Sequence, residues 1–318
     1  VLFSIVESFD AFLSLYLKTK GVEEFMLTIK NDRLSVEIDE AGAQITHVIA
    51  KNGNFDYIWN GPQWARHAPI LFPAIGRSNQ DHYRLDGQTY EMPQHGFARD
   101  YPWTVVDKGD DRVSLTLMQN DETLAKFPFH FELMVTYRLE EEKLHVKFLV
   151  KNNSDREMPY ALGLHPGFNV PLNGDELNFD DYQLTFSPEV TQLQQFEIDP
   201  VPFRTGQVID VSGSVQGTLP LTHARFDDGL IIIENQGLTS VTLSSPKSTH
   251  HISVSLEDFP YVALWTLEHQ EAGFICLEPF AGLPDVKADE PTDWRHKEGN
   301  EHLEAGHDKA YQTTIDFQ

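Results

Sequence analysis

A chain of 318 residues, 40% hydrophobic and 23% charged, has the make-up of a globular protein able to bury one large core or two ordinary ones. Its formal charge of −25 argues against nucleic acid and anionic membrane surfaces, which need basic patches, but leaves open a small neutral ligand or a phosphate in a local basic pocket. A single cysteine, Cys276, permits no intrachain disulfide and no Cys/His zinc spacing, which suits a reducing cytoplasm; no metal or other cofactor is expected.

Residues 1–25 carry apolar side chains at near-helical spacing, interrupted by Glu7 and Asp10 and preceded by no positive region. That pattern is neither a good secretory signal nor a bilayer span. Because Met26 opens a clean strand pattern, the segment is expected to be either a leader, with the start placed too early, or an N-terminal helix packed on the domain.

From Met26 onward the dominant pattern is two-residue alternation. LTIKN, LSVEIDE, ITHVIA, YIWN, WTVVD, VSLTLMQ, FELMVTYRL, LHVKFLVKN, YQLTF, LIIIEN, SVTLSS, ISVSL, VALWTL and FICLE are short runs rich in β-branched or aromatic residues, separated by turn clusters such as KNGN, LDGQ, KGDD and NNSD. Such runs around short turns predict antiparallel hairpins, and DETLAKF is at most a turn or two of helix. No repeat or linker divides the chain, so residues 26–318 are expected to form one all-β domain, a large antiparallel β-sandwich of two sheets.

Four segments carry polar residues that this pattern does not require. APILFPAIGR ends an apolar stretch with Arg77, whose planar donors want either a surface acid, Asp81 or Asp86, or a ligand. In PQHGFAR, Gly96 favours a tight turn that presents His95 as a capping or a ligand-facing side chain, and Arg99 has the same two choices. In YALGLHPGFN, the small residues Ala161 and Gly163 share a strand face with His165, an arrangement expected to clear space for a cleft. In FICLEPFAGLPD, Glu278 lies on the face of Phe274 and Cys276 at the end of an apolar strand, where a carboxylate is costly to bury unless partnered. Trp64 and Trp265 offer flat faces for a pyranose ring. A carboxylate and imidazoles in apolar surroundings suit general acid–base work near neutral pH.

GR followed by LDG, PQHGFAR, LGLHPGF, DDGLII, CLEPFAGLPD and a final EGNEHLEAG occur in this order. On these motifs the chain resembles the aldose 1-epimerase (galactose mutarotase-like) family, its LacX-like branch in particular, from about Met26 to the C-terminus. The resemblance implies a large β-sandwich and an isomerase that interconverts the α and β anomers of an aldohexose without a cofactor. It assigns Glu278 as the general base at the anomeric hydroxyl and His165 as the general acid at the ring oxygen. It places His95 beside the ring oxygen, Arg77 on the sugar, and the hydroxyl-gripping acid at Asp228, with Asp227 next to it. Arg99 and Trp265 complete the expected binding set. One histidine before Gly96, where galactose mutarotases have a pair, and Phe280, where relatives often have Trp, bear on which sugar is bound.

Three rivals have distinct requirements. A hexose-6-phosphate mutarotase needs a basic cluster near the cleft, for which Arg66, His67, Arg99 and Lys247 are the candidates. A non-catalytic sugar-binding protein needs no acid–base pair. A glycoside hydrolase or polysaccharide lyase is the third, and a hydrolase needs paired carboxylates flanking the bond.

Overall fold

A computed structural model describes residues 26–318; the N-terminal segment expected to be a leader or a packed helix lies outside the described residues. Two large sheets dominate. The nine-stranded sheet runs Thr218–Pro220, Gln183–Ser187, Ser240–Ser244, His251–Ser255, Asp308–Phe317, Lys143–Asn152, Phe131–Glu140, Arg112–Met118 and Thr104–Lys108. The eight-stranded sheet runs Arg204–Asp210, Gln194–Ile198, Ile231–Glu234, Tyr261–Trp265, Phe274–Ala281, Leu162–Leu164 and Ile70–Leu71, with Gly167–Asn169 also pairing to the Phe274–Ala281 strand. Pairing within both sheets is antiparallel, so the chain is an all-β sandwich as the alternation predicted. No helix among the described residues is long and apolar enough to cross a membrane.

The alternation works because each strand has an apolar face to bury. In Phe131–Glu140 every second residue is buried, and the paired Lys143–Asn152 strand follows the same rule. Leu133, Val135 and Phe148 from the nine-stranded sheet share one hydrophobic cluster with Leu162, Leu164, Leu264, Ile275 and Leu277 from the eight-stranded sheet. The LDGQ cluster forms a two-residue hairpin in which Asp86 and Gly87 both take positive φ, and the Asp86 carboxylate receives Arg295 and Arg156.

One local expectation comes out differently. YIWN makes only isolated bridges, because side chains take over part of the strand's hydrogen bonding: the Asp56 carboxylate accepts from the amides of Val48 and Ile58, and Asn169 donates to the carbonyls of Asp56 and Ile58. DETLAKF forms the short helix expected of it, the six residues Asp121–Lys126, closed at its start by a reciprocal Asn120–Thr123 capping box.

The turn after the Phe274–Ala281 strand is fixed by a buried ion pair. Asp285 receives Lys297 Nζ at 2.8 Å, the Asn79 backbone amide at 3.0 Å and the Thr292 hydroxyl at 2.7 Å. Burial alone would raise the Asp285 pKa, but Lys297 and these donors hold it below the ordinary carboxylate value. The Arg204 guanidinium binds the neighbouring Pro284 carbonyl at 2.9 Å. Removing one partner of such a buried pair strands the other charge. Lys297→Met is therefore expected to lower stability by about 3–5 kcal/mol in urea unfolding, and adding Asp285→Asn to recover part of the loss.

Candidate active site

The Phe274–Ala281 strand is buried along its whole length, because its odd-numbered residues Ile275 and Leu277 enter the main core while its other face meets a second layer of side chains. On that second face Ala263 stands opposite Glu278, and both Trp265 and Gly167 stand opposite Cys276. A small partner at Ala263 leaves the Glu278 carboxylate uncovered from the neighbouring strand. His165 reaches the same place from the end of Leu162–Leu164, its amide tied to the Pro69 carbonyl at 3.0 Å. Across 113 positions of sequence, His165 Nε2 and Glu278 Oε2 meet at 3.2 Å, with side chains only 9% and 1% exposed.

His95 arrives from a turn. Both His95 and Gly96 take positive φ, and a Cβ at Gly96 would lie 2.2 Å from the Phe72 carbonyl oxygen, so only glycine fits. The His95 amide donates to the Gly76 carbonyl at 2.8 Å, and the Gly76 amide returns a hydrogen bond to His95 Nδ1 at 3.2 Å. With Nδ1 accepting, a neutral ring carries its proton on Nε2. The two imidazoles lie nearly perpendicular with centroids 5.7 Å apart.

These residues line a hollow of about 470 Å³ together with Trp64, Arg77, Gln94, Arg99, Trp265 and Glu268. That is within the roughly 300–1,000 Å³ of small-molecule sites. Arg77 lines the hollow and holds Asp81, one of the surface acids expected for it, through two 2.8 Å hydrogen bonds. Arg99 donates to the Gln94 carbonyl at 2.7 Å, and its buried Nε lies 3.8 Å from the Asp100 carboxylate without a hydrogen bond. Trp64 stacks on His165 at 5.1 Å and on Phe274 at 5.5 Å, so it orients the imidazole; Trp265 meets both Trp64 and His165 edge-on.

Two sequence expectations are corrected. Ala161 and Gly163 do not clear the cleft: a Cβ on Gly163 would lie 2.6 Å from the Phe280 ring and 2.8 Å from Ile75, so that space is filled by packing. The hollow opens beyond the strand end, past His165. Nor does Asp228 or Asp227 line it. Both border a neighbouring depression of about 760 Å³, and Asp227 binds the His269 amide at 2.9 Å. The carboxylate that lines the hollow besides Glu278 is Glu268, held by the Trp265 indole N–H at 3.0 Å. It follows Trp265 by three residues in a segment that reads as an ordinary polar turn, and no spacing rule marks it.

Electrostatically the site resists charge. Burial pushes the Glu278 carboxyl well above the ordinary carboxylate range. It also lowers His165 to about 3, with the nearby Arg99 guanidinium adding to the effect, and holds His95 well below the usual imidazole value for the same two reasons. Both shifts favour the neutral forms, a protonated Glu278 carboxyl 3.2 Å from a His165 Nε2 that lacks the charge of an imidazolium. Two groups this close titrate as a coupled pair.

An all-β sandwich that holds a buried carboxylate–imidazole pair in a small-molecule hollow is the class these features define. The chain belongs to the aldose 1-epimerase family, whose profile matches residues 26–316. It is 32% identical over 270 residues to the chromosomal LacX protein of Lactococcus lactis, covering 81% of this chain and 88% of that one. Among solved structures, a galactose mutarotase-like protein from Lactobacillus casei is 48% identical with a TM-score of 0.88, covering 92% of this chain and all of that one. A galactose mutarotase related enzyme from Lactobacillus acidophilus is 31% identical with a TM-score of 0.86, over 92% and 97% of the two chains.

With both rings neutral, the carbon shifts of His95 and His165 are expected to stay flat on passing through pH 6.5, the ordinary imidazole value, and movement of either would contradict this. NMR titration of ring-labelled protein checks this.

Proposed function

We propose that this chain is an aldose 1-epimerase that interconverts the α and β anomers of a free aldohexose, with Glu278 and His165 as its proton-transfer pair. The observation that carries the reading is the 3.2 Å approach of His165 Nε2 to Glu278 Oε2 at the floor of the hollow. Ring opening removes the proton from the anomeric hydroxyl and delivers one to the ring oxygen. With sugar bound, the closed ring uses the carboxylate–imidazolium form: Glu278 takes the hydroxyl proton as His165 gives one to the ring oxygen. The C1–O5 bond breaks, leaving an aldehyde, a C5 hydroxyl, a protonated Glu278 and a neutral His165. That product form is the one burial favours, so the surroundings assist ring opening. Rotation about C1–C2 presents the other face, and closure returns both protons.

The remaining lining residues supply binding. In this reading the Nε2–H of His95 donates to the sugar beside its ring oxygen, Arg77 and Arg99 donate to hydroxyls, and Trp265 lends an apolar wall. Glu268, rather than Asp228, accepts from hydroxyls because it shares the hollow with the pair. A free sugar is favoured over a phosphorylated one by the placement of the basic residues. Lys247 is paired with Asp181, His67 with the Trp59 carbonyl and Arg66 with Asp100, so of those four only Arg99 borders the hollow.

Glu278→Gln and His165→Asn are each expected to keep the fold and lose about 10²–10⁴-fold in kcat, read by polarimetry or NMR exchange between anomers. Near-wild-type exchange in either variant would remove the mechanism. The active pair carries one proton, and burial disfavours both the doubly protonated cation and the unprotonated anion. The profile of kcat/KM is thus expected to be a broad bell whose acid limb falls well below pH 6.5 and whose alkaline limb lies well above pH 4.5. Comparing glucose with glucose 6-phosphate tests the substrate class; the free sugar should be exchanged with the higher kcat/KM.

A further inference from the structure

The strand that carries Glu278 places a second reactive group beside it that proton transfer does not use. Cys276 is two residues away on the same face and has no exposed surface. A ring nitrogen of His165, Sγ of Cys276 and a carboxylate oxygen of Glu278 all lie within 4.8 Å of one another. Two buried polar atoms of this group, His165 Nδ1 and Glu278 Oε1, have no hydrogen-bond partner. We propose that His165, Cys276 and Glu278 form a binding site for a thiophilic divalent cation of the zinc type, with its fourth position open to the hollow.

The donor set supports this. Imidazole, thiolate and carboxylate are zinc ligands, and their usual bond lengths put tetrahedral donors about 3.3–3.6 Å apart. His165 Nε2 and Glu278 Oε2 already stand at 3.2 Å. Sγ therefore has to close by little more than an ångström. Gly167, opposite Cys276 in the sheet, is covered by Trp64: a Cβ there would lie 2.8 Å from the Trp64 ring and 3.5 Å from Sγ, so the closing of Sγ has to be accommodated beside that ring. Charge balances as well. Binding displaces the thiol proton and the carboxyl proton of Glu278, leaving a thiolate, a carboxylate and a neutral imidazole around a dication. That complex is neutral, as a buried place requires. Two protons released per cation make affinity rise by up to about 100-fold per pH unit while both protons are in place. Magnesium, which prefers oxygen ligands, is excluded by the same donor set. Under the mutarotase reading, the cation occupies the nitrogen and oxygen that the sugar needs, so cation and sugar compete.

The test uses the full chain with cobalt(II) as a spectroscopic substitute and zinc(II) as the inhibitor. Cobalt is expected to give a thiolate-to-metal charge-transfer band, and zinc to raise KM for the aldose reversibly on chelation, with no effect of magnesium. Cys276→Ala, a small substitution at a position outside the proton-transfer pair, should exchange anomers normally without metal. It should lose the band and weaken zinc inhibition by more than about 100-fold, since even residues behind the ligands typically cost 10–100-fold. Glu278→Gln should weaken cobalt binding as well, which keeps the test valid should Cys276→Ala misfold. Absence of the thiolate band in the wild type, or binding by Cys276→Ala as tight as wild type, overturns the proposal. The band is read without turnover, so a wild type that binds cobalt this way but exchanges no anomers keeps the cation site and removes the mutarotase reading instead.

Discussion

Water is the competitor that the Glu278–His165 contact has to exclude. In bulk solvent a carboxylate and an imidazole at neutral pH are indifferent to one another across a few ångströms. Here both are almost fully buried and 3.2 Å apart, so neither gains hydration by ionising alone. The outcome is a pair that burial holds in its neutral form, a protonated carboxyl beside a neutral imidazole, with the carboxylate–imidazolium form the costlier of the two. A base and an acid are thus supplied by one coupled unit, and a ligand that bridges the two groups can draw the proton to the imidazole side. Arg99, whose buried Nε makes no hydrogen bond, biases the imidazole against protonation until a ligand changes the local field.

The scaffold is arranged to hold that contact rigidly. Glu278 sits inside a fully buried strand hydrogen-bonded on both sides. Trp64 lies flat on His165, backed in turn by Phe274, so the imidazole has a stacked wall. Gly96 lets the His95 turn press against the Phe72 carbonyl, and the reciprocal His95–Gly76 hydrogen bonds fix the tautomer. The turn beyond the strand is locked by Asp285 and Lys297. Site residues on strand ends and tight turns have few ways to move.

Much of this was legible in the sequence, and the reasons for the rest are specific. Strand alternation revealed the sandwich because each strand buries one face, and Glu278 and His165 stood out as polar groups ending apolar runs. Gly163 misled because a small residue on a strand face has two meanings: open space, or close approach by a larger neighbour. Only the position of Phe280 on the adjacent strand decides between them. YIWN misled because its backbone is satisfied by Asp56 and Asn169, the latter more than a hundred positions away. Glu268 went unseen because a carboxylate in a polar turn carries no local signal; its position is set by the Trp265 indole. The proximity of Cys276 to His165 is likewise a product of sheet pairing, invisible to any rule about ligand spacing along the chain.

The central claim is that Glu278 and His165 exchange protons with the anomeric hydroxyl and the ring oxygen of a sugar. A crystal structure of the Glu278→Gln variant soaked with a free aldose tests it most directly. The account predicts a pyranose in the hollow with its anomeric oxygen against residue 278 and its ring oxygen within hydrogen-bond distance of His165. A sugar bound instead in the depression beside Asp227 and Asp228, or lying with its non-reducing end toward the pair, would contradict it.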